Sequence, residues 1–270
     1  MPSELKQLED DEEGTLRLVR HVVLNTLRYY NKKFGGYYGE MVIACDSKNY
    51  WRRDIFPFYK AGRAKEREDS DYNWKFIFNG LNNVKSELIV YFPYKVIEID
   101  NVEADDIIAV LAKNTTENVI IVSNDHDFQQ LYKYPNVKQV LHSNKQIVTV
   151  DDPNKVILEH IIRGDRKDGV PGILGDDDVF VNVSKRQGRL TANKMAKYLS
   201  LGYDGLENDY QRANWKRNQQ LVDFDYIPEE IQQSIIDKYN TATTQTNRTI
   251  IMDYLVKYRC NLLLEHMDDF

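Results

Sequence analysis

Cysteine is scarce: Cys45 and Cys260 occur in 270 residues and form no CxxC pair. That speaks against a thiolate zinc site and fits a reducing, cytosolic setting. No apolar run approaches the ~18 residues of a membrane span, so no membrane partner is expected. The opening stretch "MPSELKQLEDDEEG" is acidic and lacks a signal-peptide core. Positive charge is not in excess. The formal net charge is -6, so attraction to nucleic acid must come from local patches rather than from the whole surface. Internal repeats and low-complexity linkers are missing. So is any Ser–His–Asp or Cys–His constellation for nucleophilic catalysis.

What is present begins with 42% hydrophobic residues, enough for one large domain or a core with a smaller lobe. Strand-like runs fall at Met41–Cys45, Lys95–Ile99 and Val119–Ser123, with weaker ones at Lys138–Leu141 and Gln146–Val150. Helical periodicity lies between them, over Leu16–Tyr30, Asn73–Leu88 and Asp105–Ala112. Strands alternating with helices predict an α/β fold with a mostly parallel central sheet and helices on both faces. From Val156 the pattern is helical only, over Val156–Arg163, Thr191–Leu199, Tyr210–Leu221, Glu229–Tyr239 and Ile250–Leu264. The expected organisation is an α/β core over residues 1–152 and a helical lobe over 153–270.

Carboxylates accumulate where the strands end. Asp46 closes "MVIACD". "DNVEADDI" carries Glu103, Asp105 and Asp106. "VIIVSNDHDF" carries Asp125 and Asp127, and "IIRGDRKDGVPG" places Asp165 and Asp168 just past a helix. Ligands of open α/β sheets bind outside the carboxyl ends of the strands, so these acids are expected to form one pocket. Each alone has a structural explanation: Glu103 as a capping-box partner, Asp105 in a first helical turn, Asp125 as an N-cap for the turn at His126. Together they would raise one another's pKa and cost stability unless something positive sits among them. An all-oxygen set selects Mg²⁺ or Mn²⁺ over zinc. So many acids suggest two ions, about 4 Å apart, suited to phosphodiester hydrolysis.

Two basic segments border this pocket. "YWRRDIFPFYKAGRAKERED" sets Arg52, Arg53, Lys60, Arg63, Lys65 and Arg67 among aromatics. Bases can stack on the rings while the cations track phosphates. "GVPGILG", from Gly169 through Gly172 to Gly175, reads as a turn whose backbone N–H groups approach a phosphate. It is followed by Lys185, Arg186 and Arg189. The histidines read differently. His126 is expected to face solvent, and His21 and His160 to be structural residues on helices.

In "IACDSKNYWRRD", "VEADDIIAVL", "IVSNDHDFQQLYKYPNVKQ", "RGDRKDGV" and "LVDFDYIP" the chain resembles the flap endonuclease family of structure-specific 5′ nucleases, nearest to its phage ribonuclease H branch. The resemblance implies a PIN-like core, a helical arch over the site (about 47–70) and a helix-hairpin-helix-like element holding the duplex. It implies metal ligands at Asp46, Glu103, Asp105, Asp125, Asp127, Asp165 and Asp168, with Asp106 in support. It also implies that Lys60 and Arg63 contact the scissile phosphate or the strand in the arch. The expected activity is Mg²⁺-dependent hydrolysis of primer RNA and 5′ DNA flaps during phage replication in the host cytoplasm. A monomer is expected, with forked DNA, RNA–DNA duplex and replication proteins such as a single-strand-binding protein or sliding clamp as partners.

Two departures stand out. The family opens with an apolar strand ending in a metal-binding aspartate; here no apolar run precedes Asp10 or Asp11, and the expectation is reduced activity and weaker ion binding. The glycine turn runs into "DDDVF" rather than a small, basic continuation. A nuclease-derived protein that binds branched DNA but hydrolyses it poorly is the alternative reading, and a PIN-like ribonuclease a remoter one.

Overall fold

Short strands, each followed by a polar loop that opens a helix, set the pattern of the first half of the chain. The structure, a computed structural model, describes residues 12–270. The helices and strands in order are α1 (Glu12–Tyr38), β1 (Val42–Ala44), α2 (Arg52–Ile55), α3 (Arg63–Glu68), α4 (Trp74–Tyr91), β2 (Lys95–Ile97), α5 (Ala104–Lys113), β3 (Val119–Val122) and β4 (Val137–Val140). Then come α6 (Pro153–Arg163), α7 (Ala192–Leu201), α8 (Asp209–Val222), α9 (Glu229–Thr241) and α10 (Arg248–Lys257). Short 3₁₀ turns occupy Asp127–Lys133, Gly202–Gly205, Phe224–Tyr226 and Asn261–Asp269. Among the described residues no helix is long and apolar enough to cross a membrane. The stretch carrying Asp10 and Asp11, and with it the expectation about a first acidic strand, lies outside the described residues.

The helix starts follow local chemistry. Asp152 caps α6 through Asn154 N at 3.0 Å and Lys155 N at 3.1 Å, ahead of Pro153 at the first helical position. Thr191 caps α7 and Asn208 caps α8 in the same way. The pairing of the strands is parallel throughout, β1 with β2 and β3 with β4. It makes two two-stranded sheets rather than one central sheet. Gln146–Val150 does not form a strand and contributes one antiparallel bridge, Val140 with Ile147. The expected helix Ile250–Leu264 divides, because the chain leaves α-geometry near Arg259, which has a φ of 56°, and resumes as a 3₁₀ turn.

The compact units do not follow a boundary at residue 152. One unit comprises the described part of Met1–Cys45 with Asp69–Ile97 and Lys238–Phe270; the other comprises Asp46–Glu68 and Glu98–Asp237. The first packs Leu24, Val84, Leu88, Phe92, Ile251, Tyr254 and Leu255 into one core. Within it, Arg20 donates to Glu87 at 2.7 Å, and the Tyr254 hydroxyl donates to the same carboxylate at 2.7 Å. The second buries Phe56, Tyr59, Ile161, Ile162, Val170, Ile173, Tyr198 and Trp215. All the acids singled out from the sequence belong to this second unit, which therefore carries the site.

Gly164, at the end of α6, has a φ of 66°, and a Cβ there would collide with the backbone of Val170 and Pro171. Gly202 has a φ of 58° with open space around it. Gly202→Ala should therefore cost about 1–3 kcal/mol, the penalty of a positive-φ backbone alone. Gly164→Ala should cost clearly more, because the 165–170 loop must move. Urea unfolding of the two variants checks this; equal losses would show that the loop around Gly164 relaxes freely.

Candidate metal centre

The site is assembled from loops that bond to one another before any side chain reaches inward. Ser47 N–H donates to Val102 O at 3.1 Å, Trp51 N–H to Asn101 O at 3.0 Å, and Asn101 N–H to the Ser47 hydroxyl at 3.1 Å. These bonds clasp the segment after β1 to the one after β2. At the head of α5, Glu103 and Asp106 form a reciprocal capping box. Lys60 N–H donates to Asp168 O at 2.8 Å, which ties the basic segment to the loop after α6. Lys60 adopts a φ of 55°, a left-handed conformation uncommon outside glycine.

Several of the candidate ligands share one device. Asp46 uses Oδ1 to accept Ala104 N–H at 2.9 Å. Asp125 uses Oδ1 to accept Asp127 N–H at 3.0 Å. Asp165 uses Oδ1 to accept Lys167 N–H at 2.7 Å and Asp168 N–H at 3.2 Å. One oxygen of each is engaged by the backbone, and this aims the other. The turn-forming and the ligand readings of these aspartates are therefore compatible. Gln139, fully buried on β4, donates its side-chain amide to Ser123 O at 3.0 Å and Asp125 O at 2.5 Å and so holds the loop after β3.

Electrostatically the cluster behaves as crowded acid. Burial, with Asp125, Asp46 and Glu103 nearby, pushes the Asp105 carboxyl up to about 8, against the pull of Lys60. Burial, with Asp125, Asp165 and Asp168, raises Asp127 to about 7, although His160 opposes this. Burial also opposes ionisation of Asp165, but its hydrogen bond and charge interaction with His160 hold it below its ordinary value. A pocket is lined by Glu103, Asp105, Asp127, Asp165 and Asp168 together with Arg52, Tyr59 and His160.

The positive charges sort into two kinds. Arg52 is only 3% exposed. It donates to Glu103 Oε2 at 2.7 Å, to both Asp106 oxygens at 3.0 and 2.7 Å, and to Leu221 O at 2.8 Å. It cannot also touch DNA, so its expected place among DNA-binding residues is corrected. Asp106 is fully buried and accepts from Arg52, from the Trp51 indole at 2.9 Å and from Glu103 N–H at 3.2 Å. It is an internal anchor and not a metal ligand. Lys60 and Arg63 form the second kind. Lys60 Nζ pairs with Glu103 and lies 3.6 Å from Asp168 Oδ2, and Arg63 pairs with Asp168 Oδ1 at 2.5 Å. The Tyr59 hydroxyl lies within hydrogen-bond distance of both Glu103 and Asp168.

Further out, Arg53, Lys65, Arg67, Arg186 and Arg189 are exposed. Lys185 is exposed too, but pairs with Asp178 at 2.7 Å and Asp176 at 3.2 Å. The acidic run after the glycine turn thus neutralises a cation assigned to DNA. Gly172 is buried against the backbone of Ile162 and Arg163, and Gly169 N–H donates to Arg166 O at 3.2 Å. Both glycines serve close packing, and because its N–H is engaged within the turn the phosphate-facing role expected of Gly169 is corrected. His160 is more than the structural helix residue its sequence context suggests. It lies between Asp127 and Asp165, its ring nitrogens at 3.3 and 3.5 Å from their carboxylates. Nothing in the sequence marks it, or Tyr59 and Gln139, as part of the site.

The charge balance can be tested at its anchor and through its pH dependence. Arg52→Leu removes the partner of two buried carboxylates and should destabilise the chain by about 3–5 kcal/mol, the cost of breaking a buried pair from one side; a loss below about 1 kcal/mol in urea unfolding would refute the buried network. Folded Asp105 and Asp127 titrate near 8 and 7, above the unfolded value of about 3.9. Between about pH 5 and 8 the folded chain therefore binds more protons than the unfolded one, and stability falls as pH rises, by up to about 1.4 kcal/mol per unit and group. Chelator-treated protein should unfold more easily at pH 8 than at pH 6, and divalent ions should flatten the slope. Stability that rises with pH over this window would contradict the crowding of the acids.

Residues 5–159 match the family described as 5′-3′ exonuclease, N-terminal resolvase-like domain, and residues 152–270 match the family described as T4 RNase H, C terminal. The chain is 34% identical to ribonuclease H of Enterobacteria phage T4 over 284 aligned residues, 98% of this chain and 91% of the relative. It is 33% identical to flap endonuclease Xni of Shewanella pealeana, over 46% of this chain and 49% of that protein. Among solved structures, a T5 5′-exonuclease with bound zinc ions superposes with a TM-score of 0.61 at 17% identity, covering 88% of this chain and 94% of that one. The T5 D15 flap endonuclease in a pseudo-enzyme–product complex with DNA and metal ions gives 0.60 at 18% identity, covering 79% and 90%. The PIN-like fold and the crowded carboxylates agree with these likenesses: the chain belongs to the 5′-3′ exonuclease family of metal-dependent 5′ nucleases and carries the T4 RNase H type of C-terminal half.

Proposed function

We propose that the chain uses two Mg²⁺ ions, replaceable by Mn²⁺, to hydrolyse phosphodiesters near the 5′ ends of primer RNA and of DNA flaps during phage replication. One observation carries the reading: buried carboxylates from separate loops of one unit crowd together with Lys60 and Arg63 against Glu103 and Asp168. The donor set fits hard divalent ions, since Asp46, Asp125 and Asp165 each keep an oxygen beyond the one engaged by the backbone, and burial and neighbouring acids raise Asp105 and Asp127 despite Lys60 and His160. Asp46, Glu103, Asp105, Asp125, Asp127, Asp165 and Asp168 would hold the ions; when bound, they would activate water and stabilise the leaving oxygen.

The chain's own residues supply the rest. Arg63 stands on the acidic rim and Lys60 is buried beside Glu103, both with donors suited to a phosphate, so an incoming phosphodiester would compete with Glu103 and Asp168 for them. The left-handed backbone at Lys60, fixed by its bond to Asp168 O, keeps the ammonium near the acids. Arg53, Lys65 and Arg67 are placed to track the backbone of a single-stranded 5′ end, and Arg186 and Arg189 that of a duplex. Forked DNA and RNA–DNA duplex are the substrates this supports. The chain would act as a monomer beside a single-strand-binding protein or sliding clamp.

The deciding experiment is Mg²⁺-dependent release of 5′ products from labelled flap and primer substrates. Binding without hydrolysis at saturating Mg²⁺ would identify a branched-DNA-binding protein instead. Arg63→Ala should lower the single-turnover rate by roughly 10²–10³-fold, as for loss of one preorganised donor; a rate within a factor of three would remove Arg63 from phosphate contact. Asp127→Asn should abolish most activity while leaving the ion-free chain as stable as before or more so, because it relieves repulsion; destabilisation would assign Asp127 to the turn alone. Neutralising Arg53, Lys65 and Arg67 together should make the salt dependence of binding shallower by about 0.7 for each phosphate no longer neutralised; an unchanged slope would make this segment a solvated loop.

A further inference from the structure

We propose that His160 is a nitrogen ligand, shared with Asp127 and oriented by Asp165, that biases one ion site toward cations that accept imidazole more readily, such as Mn²⁺ and Co²⁺, over Mg²⁺. The inference rests on the metal-dependent reading above and adds to it a ligand of a different chemical kind. It starts from the last turn of α6, where His160 O accepts Gly164 N–H at 2.8 Å. This places the imidazole beside the loop that begins with Asp165. Of the Asp165 oxygens, Oδ1 is engaged by two backbone N–H groups. The other, Oδ2, faces His160 Nε2 at 3.5 Å. Ligating histidines characteristically donate their second ring N–H to a carboxylate, which sets the tautomer and aims the other nitrogen. A tautomer with its proton on Nε2, toward Asp165, leaves Nδ1 as a lone-pair donor.

Nδ1 faces Asp127 Oδ1 at 3.3 Å. Two ligand atoms each about 2.1 Å from one ion and at right angles lie about 3 Å apart, so this spacing suits two neighbouring positions on one coordination shell. One ligand atom each from Asp127, His160 and Asp165 falls within 4.8 Å of the others. Asp165 then has two tasks, ligand to the ions as above and, through the Oδ2 that faces Nε2, orienter of His160. An all-carboxylate set is hard and favours Mg²⁺. An imidazole nitrogen shifts preference along the Irving–Williams order toward Co²⁺ and Zn²⁺. A purely structural His160 would be an imidazolium bridging two aspartates, with no effect on which ion binds.

The test is pulsed electron paramagnetic resonance of the full chain loaded with Mn²⁺, with binding stoichiometry measured first by calorimetry. The wild-type echo should carry ¹⁴N modulation from a coordinated imidazole. His126→Gln should keep it, and His160→Gln and His160→Asn should lose it while still binding Mn²⁺. The ratio of Mn²⁺ to Mg²⁺ affinity should fall roughly 10-fold or more in the His160 variants, and Asp165→Asn should lower Mn²⁺ affinity by about 10-fold or more, as for loss of an orienting partner. If neither variant folds, histidine-specific ¹⁵N labelling of the wild type replaces them: the modulation must change to that of ¹⁵N. Stoichiometric Mn²⁺ without nitrogen coupling would overturn the role of His160 and leave the nuclease reading intact. Failure to bind Mn²⁺ at all would overturn both.

Discussion

Carboxylates in low dielectric tolerate one another only when positive charge is built in among them, and this constraint organises the second unit. Arg52 meets it from beneath. Its guanidinium is closed off from solvent and shared among Glu103, Asp106 and a main-chain carbonyl. Burial works against its charge, yet Asp106 and its other neighbours more than compensate and hold it ionised. Because Glu103 and Asp106 also form the capping box of α5, one buried arginine couples the start of that helix to the segment after β1.

The remaining cations meet the same constraint. Lys60 pairs with Glu103 out of solvent, whereas Arg63 with Asp168 and His160 with Asp127 and Asp165 make partly solvated contacts. Burial disfavours the charged form of Lys60, and Asp168 and Glu103 restore it. In the ion-free chain Asp165 and Asp127 likewise outweigh burial at His160, and a bound ion would displace its ring proton. Arg63 and His160 are the more open members of the network, whereas Arg52 cannot leave without stranding two buried charges.

Local features of the sequence are legible where one segment contains its own cause. The caps at Asp152, Thr191 and Asn208, the apolar run at Val119–Val122 and the helical stripes need no distant partner. They mislead where a residue's role depends on a remote one. Arg52 and Lys65 sit in one basic stretch with similar chemistry, yet one is buried and the other exposed. Gly172 carries the signature of a phosphate loop but is filled in by Ile162 and Arg163. Asp106 is indistinguishable in kind from Asp105, and helical rotation of about 100° per residue turns one toward Arg52 and the other toward Asp46 and Asp125.

The supply of carboxylates at strand ends, the basic segment beside them, the helical second half and the family resemblance are all matters of residue type and short-range spacing, and the chain's letters suffice for them. Which acids crowd and which are neutralised, the division of the parallel strands into two small sheets, and the place of His160 between two aspartates arise only on folding. Charge interactions fall off with distance in space, not along the chain: Arg52 and Glu103 are 51 residues apart and 2.7 Å apart, and no window of sequence contains both with their burial.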